Sequence, residues 1–309
     1  MLLDFLVFAV SLLVLAKSAD IAVRQVIRIA RHYSISDFTA GFILIAVATS
    51  VPELLVGIFS SMSNAGGISV GNVLGANIVD LLLVMGLLVF FYKVSVVDKK
   101  LVENSQVMLF LTFIPLVFLL SGSVERSEGL VLLLLFLLYC FFAFKQKISV
   151  GIKARDGLKI SKPFLILGFS LLLLFISSRF LVDSTISIAT FLQVPQSLIA
   201  VVIVSLGTTV PELATALSAA RLKRFEIAFG DLVGSVIVNS TLVLGVAAVI
   251  RPLVFNQQVI FTAVFFLVIA ELLIVGLATL QKRLDRKIGL TLLSFYFLFL
   301  LAEIGFVNF

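Results

Sequence analysis

The sequence predicts an all-α polytopic membrane protein of ten transmembrane helices, arranged as two inverted five-helix repeats. Three observations carry this prediction. Of its 309 residues, 61% are apolar and only 13% charged, a balance suited to a bilayer rather than to water. Residues 46–86 recur later in the chain: Thr49, Val51, Pro52, Glu53, Leu54, Gly71, Gly75, Ile78, Val79, Leu83, Val84 and Gly86 return as Thr208, Val210, Pro211, Glu212, Leu213, Gly230, Gly234, Ile237, Val238, Leu242, Val243 and Gly245. The offset stays constant at 159 positions through two helices and their loop, which marks a duplicated unit. Finally, the basic residues alternate between loops, so that one side of the membrane receives nearly all of them.

Apolar stretches of about 20 residues are needed to cross the hydrocarbon core. In chain order they fall at 2–23, 38–61, 69–92, 105–121, 128–144, 163–182, 196–220, 227–250, 257–280 and 288–307. The fourth and fifth are separated only by residues 121–126, which leaves nine spans as the alternative count. Arg24, Arg28 and Arg31 follow the first span, and Lys93, Lys99 and Lys100 the third. Six more, from Lys145 to Lys162, follow the fifth; Arg221, Lys223 and Arg224 follow the seventh; Lys282, Arg283, Arg286 and Lys287 follow the ninth. These are 19 of the 23 basic residues. The other side receives Arg126, Arg179 and Arg251, while Lys17 lies within the first span. The asymmetry puts both termini outside the cytoplasmic membrane.

The same loops relate the two copies. Residues 62–67 carry no charge, whereas their counterparts at 221–226 are basic, so equivalent loops face opposite sides. An odd number of spans per half requires the same inversion, an architecture associated with alternating access. The halves are 1–144 and 163–309, joined by a cytoplasmic linker at 145–162 that is too short and polar for a further domain.

Several function classes are excluded or weakened by what the chain lacks. A single cysteine, Cys140, allows no disulfide or cysteine-rich metal site within one chain. The N-terminus has Asp4 where a signal peptide would carry basic residues, so the first span reads as retained. No basic tract suggests nucleic acid. The chain has neither HExxH nor a paired serine and lysine motif, which argues against an intramembrane enzyme. No cofactor is implied.

The chemistry concentrates in the repeated stretch. Glu53 and Glu212 lie well inside their spans, where an acid costs about 2.5–3.5 kcal/mol on insertion scales. Each follows a proline, which gives no N–H to the carbonyl four residues back, Ala48 for Pro52 and Gly207 for Pro211. Proline suits the start of a new half-helix, which sets Thr49 and Ser50, or Thr208 and Thr209, in a short unwound bend beside the carboxylate. Such a break is tolerated at membrane depth only where it lines protein or a watery cavity. In the next helix Gly71 and Gly75, like Gly230 and Gly234, form a small face for close helix approach. Ala76 and Asp80 are four apart, as are Ser235 and Asn239. Glu53, Glu212, Asp80 and Asn239, with hydroxyls from Thr49, Ser50, Thr208, Thr209 and Ser235, make an oxygen-rich set for hard cations such as Ca²⁺ and Na⁺. Asp80 reads alternatively as a protonated acid held within the bundle, and Asn239 and the hydroxyls as helix cement. Glu271 reads as a structural acid rather than an ion path, Glu303 and Asp4 as solvated span ends, and Asp20 as a helix-face partner of Lys17 or Arg24.

At TSVPE with GNVLGANIVD, and TTVPE with GDLVGSVIVN, the chain resembles the cation/calcium exchanger superfamily, in particular the compact prokaryotic and archaeal sodium/calcium exchangers. The resemblance covers nearly the whole chain. It implies a central site between the second, third, seventh and eighth spans, and electrogenic Na⁺/Ca²⁺ antiport by alternating access. Carried over by position, Glu53 and Glu212 are the principal calcium carboxylates. Thr49, Ser50, Thr208, Thr209 and Ser235, with the backbone carbonyls of Ala46 and Ser205, flank them as sodium ligands. The archaeal pattern has Asn then Asp where this chain has Asp80 then Asn239, and Ala76 stands where serine is usual. On this count the first copy brings two acids and the second one. An H⁺/Ca²⁺ exchanger is the nearest rival reading, and a cation channel the rival from another class. Asn239 speaks against potassium dependence, since that branch tends to have an acid there.

Overall fold

The computed structural model describes residues 2–32, 45–92, 99–145, 161–221, 225–280 and 284–305. Most of the linker expected at 145–162, and the start of the span expected at 38–61, lie outside the described residues. So do nine of the 19 basic loop residues counted above. The structure is almost wholly helical. Its only strands are two-residue pieces, β1 (Ser123–Val124) and β2 (Leu253–Val254), paired antiparallel among the described residues.

The helices are α1 (Leu2–His32), α2 (Ala46–Thr49), α3 (Val51–Met62), α4 (Gly66–Ile78), α5 (Met85–Phe91), α6 (Lys99–Leu119) and α7 (Arg126–Lys145). They continue as α8 (Ser161–Leu192), α9 (Gln196–Ile199), α10 (Ser205–Thr208), α11 (Val210–Arg221), α12 (Phe225–Val238), α13 (Leu244–Ile250), α14 (Gln257–Leu280) and α15 (Arg286–Gly305). Wider π-helical turns at Val79–Val84, Ala200–Val204 and Asn239–Val243 join α4 to α5, α9 to α10 and α12 to α13. The duplication is structural as well, because α3 and α11, and α5 and α13, each begin 159 residues apart.

Among the described residues seven helical stretches are long and apolar enough to cross a membrane, and α9–α11 form an eighth, bent by 40°. Helices α6 and α7 are separate, so the merging of the fourth and fifth spans is not seen. The first helix continues past the expected end at residue 23 to His32. Asp20 pairs with Arg24 at 2.8 Å along that helix, as the spacing suggested.

Contacts sort the connections into two ends. Ser123 and Val124 pair with Val254 and Leu253, Arg126 donates to the Ile250 carbonyl, Gly66 meets Leu253, and Gly67 lies against Ser197. At the other end of the 26-residue stretch Gly66–Phe91, Tyr92 meets Phe225, and Phe90 meets Gly289 and the Arg286 guanidinium. The α3–α4 turn therefore lies at one end and the start of α12, its repeat counterpart, at the other. That turn is closed by Ala65 N–H donating to the Ser60 carbonyl and Asn64 N–H to Ser61, with Asn64 left-handed at φ 57°.

The glycine pair of the first copy packs as expected. A Cβ on Gly71 would come within 2.6 Å of the Ser197 carbonyl oxygen, and one on Gly75 would overlap the Val201 carbonyl and the Ser205 side chain. Helix α4 thus lies directly on the second copy's α9–α10 segment, and close backbone approach sets the distance between the copies. Around this seam α1 and α8 pack along each other, and a larger apolar cluster surrounds α4, α5, α12 and α13. Glu303 departs from expectation. It is fully buried in α15 rather than solvated, and neither carboxylate oxygen has a hydrogen-bond partner among the described residues.

Candidate cation site

Two helix breaks build the site. Pro52 and Pro211 each occupy the second position of a helix, where the missing N–H has no intrahelical acceptor to lose. The residues just before these helices, Ser50 (φ −77°, ψ 5°) and Thr209 (φ −80°, ψ 0°), leave the helical region for the sparsely populated bridge region. The break is one residue wide, so Thr49 and Thr208 remain helical, contrary to the two-residue unwinding expected. Glu53 and Glu212 follow in the first turns of α3 and α11, each 1% exposed.

Across the seam the copies exchange hydroxyls. Thr49 Oγ1 lies 3.1 Å from Ser235 Oγ, and Thr208 Oγ1 donates to Asn72 Oδ1 at 3.2 Å. Thr208 also sits beside the Glu53 carboxylate, and Thr49 beside that of Asp231. Glu212 lies within electrostatic reach of Glu53, Asp80 and Asp231. Asp80 and Asn239 occupy the π-helical turns that follow α4 and α12, where the wider turn re-aims side chains at functional sites. The Asn239 amide nitrogen donates to Asn77 Oδ1 at 3.1 Å, and the Asn77 amide donates to Ser240 Oγ at 2.9 Å.

The carbonyls of Ala46 and Ser205 are engaged locally. Ala46 accepts from Ser50 N–H and Thr49 Oγ1, and Ser205 from Thr209 N–H, Thr208 Oγ1 and Thr209 Oγ1. Ion binding there would require the hydroxyls to turn away. Ser50 Oγ, Asn239 Oδ1 and every carboxylate oxygen of Glu53, Asp80, Glu212 and Asp231 are buried without a hydrogen-bond partner. A buried carboxylate left in this state is costly unless a cation or a proton neutralises it. No three of these acids converge tightly enough, among the described residues, to enclose one ion as they stand.

Four residues of this cluster escaped the sequence reading. Asn72 and Asp231 are repeat mates that directly follow Gly71 and Gly230, and that shared position was the available signal. Asn77 has apolar Val236 as its mate, so repetition gave no hint of it, nor of Ser240. Asp231 corrects the expected imbalance of acids, since each copy contributes two: Glu53 and Asp80 from the first, Glu212 and Asp231 from the second. Glu271 stands apart from the cluster, buried in α14 beside Thr112 of α6.

Comparison with known proteins accords with this geometry. The family described as "Sodium/calcium exchanger protein" matches residues 3–145 and 162–305. Relatives include the "Sodium/calcium exchanger MaX1" of Methanosarcina acetivorans, 27% identical with 97% of this chain and 98% of that protein covered. The "Uncharacterized membrane protein MJ0091" of Methanocaldococcus jannaschii is 31% identical, with 94% of each covered. The "Inner membrane protein YrbG" of Escherichia coli is 29% identical over 82% of this chain and 81% of its own length. A solved structure of the sodium-calcium exchanger NCX_Mj superposes with a TM-score of 0.70 at 28% identity, covering 96% of this chain and 97% of that one.

Proposed function

The chain belongs to the sodium/calcium exchanger protein family, a family of membrane transporters, and from that premise we propose that it exchanges Na⁺ for Ca²⁺ by alternating access at the buried seam between its two copies. One observation carries the reading. Glu53 and Glu212, from different copies, each begin a half-helix behind a proline and present buried carboxylate oxygens without hydrogen-bond partners. Ca²⁺ takes about 6–8 oxygen ligands, and carboxylates supply both charge and geometry. In this mechanism Glu53 and Glu212 hold Ca²⁺. Asp80, Asn239 and the hydroxyls of Thr49, Ser50, Thr208, Thr209 and Ser235 take part with Na⁺, joined by the Ala46 and Ser205 carbonyls once their local donors rotate. Glu53 and Glu212 also compensate the Na⁺ ions bound beside them, so one cargo excludes the other, and that competition couples the fluxes.

Ten helices in two inverted five-helix repeats, 1–144 and 163–309, with both termini outside a cytoplasmic membrane, complete the proposal. The α3–α4 turn and its counterpart before α12 lie at opposite ends, which supports the inversion. Inverted copies of one broken helix can exchange roles, so an arrangement open to one side has a counterpart open to the other.

The test is calcium uptake into proteoliposomes loaded with Na⁺. An outward Na⁺ gradient is expected to drive radiocalcium inward, and Glu53→Gln or Glu212→Gln to abolish the uptake. Uptake driven by a pH gradient without Na⁺ would overturn the reading in favour of H⁺/Ca²⁺ exchange. Calcium passing down its own gradient with no counter-ion would make the protein a channel.

A further inference from the structure

Arg179 of α8 fastens that helix to the far end of α3, the half-helix that begins with Val51, Pro52 and Glu53. Its Nη1 donates to Ser63 Oγ at 3.1 Å, at the residue that caps α3, and its guanidinium carbon lies 5.8 Å from the Phe59 ring centroid. Its Nε pairs with Asp183 Oδ2 at 3.0 Å, which holds the planar group in place. One turn earlier on α8, Phe175 meets Phe59 edge to face, with ring centroids 4.9 Å apart. All of these contacts gather on the last turn of α3, beside the α3–α4 turn.

The second half-helix lacks the residues for such a fastening. At the constant offset of 159, the mates of Phe175, Arg179 and Asp183 are Ala16, Asp20 and Arg24, and those of Phe59 and Ser63 are Ser218 and Leu222. Asp20 pairs with Arg24 of its own helix at 2.8 Å, so the ion pair recurs with its signs exchanged. Ser218 is exposed, whereas Phe59 is buried. Helix α11 still packs along α1, but its sequence from Val210 to Arg221 has no aromatic ring to receive a guanidinium. The repetition that builds the cation site therefore does not extend to the anchoring of its two half-helices.

Exchange by inverted copies needs two arrangements, each of which is the other with the roles of the copies exchanged. Identical copies would hold the two at equal energy, and a fastening present in only one copy makes them unequal. Resting on the exchange reading above, we infer that Arg179 is a positioning residue that holds the end of α3 against α8 and so favours the arrangement closed at the face carrying the α3–α4 turn. Opening to that face has to part the ends of α3 and α8, whereas opening to the opposite face leaves these contacts whole. Because α3 is a single helix of 12 residues, the anchor at Phe59 and Ser63 also fixes the direction in which Glu53 is presented.

The experiment reads the half-saturating Ca²⁺ concentration at each face of uniformly oriented proteoliposomes, for the wild-type chain and Arg179→Gln. An apparent affinity is scaled by the fraction of protein open to that face, so the ratio between the faces follows the balance of the two arrangements. Arg179→Gln is expected to shift the ratio by about three- to tenfold in favour of the face carrying the turn, the worth of a cation over a ring and a hydrogen bond from a charged donor. Arg179→Lys, which keeps a cation near Phe59, should shift it less. Ser63→Ala removes only the hydrogen bond and should shift it in the same direction; it carries the test if Arg179→Gln does not fold. The face carrying the turn is identified in the same vesicles with a membrane-impermeant maleimide on Met62→Cys, an exposed position, in a Cys140→Ala chain. An unchanged ratio, including equal losses at both faces from a general loosening of the fold, would overturn the inference, as would a shift toward the opposite face. Failure of the exchange reading itself looks different, because calcium flux in the wild-type chain would then not depend on Na⁺.

Discussion

Thr49 Oγ1 and Ser235 Oγ meet at 3.1 Å although 186 positions separate them in sequence. Each belongs to a different copy, and each lies one helical step from an acid of the cluster. Thr49→Val and Ser235→Ala should each weaken the apparent Na⁺ affinity of calcium flux by about tenfold, the order of one lost hydrogen bond to a charged or polar partner. The double variant should lose little more than either single one, with a coupling energy of about 0.5–3 kcal/mol, because both changes remove the same contact. Additive losses in the Na⁺ titration would mean that the two hydroxyls act separately.

The seam between the copies can be tested at Gly75. A Cβ there collides with the Val201 backbone carbonyl and the Ser205 side chain, and a carbonyl in a packed helix cannot move aside cheaply. Gly75→Ala should cost about 1–3 kcal/mol, read as a lowered Tm in detergent. Gly168→Ala in α8, with nothing within 4 Å of the added carbon, is the control and should stay within about 1 kcal/mol of wild type.

Asn77 holds the Asn239 amide by one hydrogen bond and Ser240 by another. Asn77→Ala leaves the Asn239 amide without its acceptor, at a cost of about 1–3 kcal/mol. We expect the calcium affinity to fall and the Tm to drop together. The isosteric Asn77→Asp retains the acceptor for Asn239, and it should recover more of the affinity than Ala does if orienting that side chain is what matters.

Calcium should stabilise the fold measurably, since among the described residues no buried basic side chain compensates the acids of the cluster. At 100 times its Kd a ligand adds about 2.7 kcal/mol to the native state. Differential scanning fluorimetry with and without Ca²⁺ should show a clear rise in Tm for the wild type and none for Glu212→Gln.

Glu271 gives the contrasting case. It is buried in α14 beside Thr112, outside the cluster. The Thr112 hydroxyl is directed at the Met108 carbonyl, 2.9 Å away, within its own helix. Glu271→Gln keeps size and polarity at a site outside the cluster and should leave calcium flux within about twofold of wild type. Loss of transport with the fold intact would place Glu271 on an ion path.

Much of the fold was legible in the sequence because bilayers enforce simple rules. Apolar stretches and the glycine stripe predicted the helices and their closest contact, and the doubled proline–glutamate pairs predicted the helix breaks. The extent of those breaks was not legible. Ser50 and Thr209 alone leave the helix, since Ser50 N–H to Ala46 and Leu54 N–H to Ser50 keep helical bonding on both sides of the kink. Comparing identical residues between copies found Glu53 and Glu212, and the same comparison passed over Asp231 because its mate is Asn72. Asn77 was invisible for a deeper reason: it acts on Asn239 across the seam, and no local pattern encodes a partner 162 positions away. Glu303 was misjudged from its place near a span end, whereas packing of α15 against its neighbours decides its exposure.

The lengths of α1 and α8 bear on the lipid as much as on the protein. The membrane-crossing stretch Leu2–Val26 of α1 has 25 residues and Ser161–Leu192 has 32. At about 1.5 Å per residue these measure roughly 37 and 48 Å, against a hydrocarbon thickness of about 30 Å. The two helices lie against each other, and each carries an exposed ion pair in its second half, Asp20–Arg24 on α1 and Arg179–Asp183 on α8, so the excess length is taken up by the helix pair together, through tilt or through charged residues at the interface. A thicker bilayer would draw that pair more upright, so transport measured in vesicles of increasing acyl-chain length should change while the ion cluster's composition does not. The membrane's thickness thereby becomes a mechanical input to the exchanger, applied through its two longest helices.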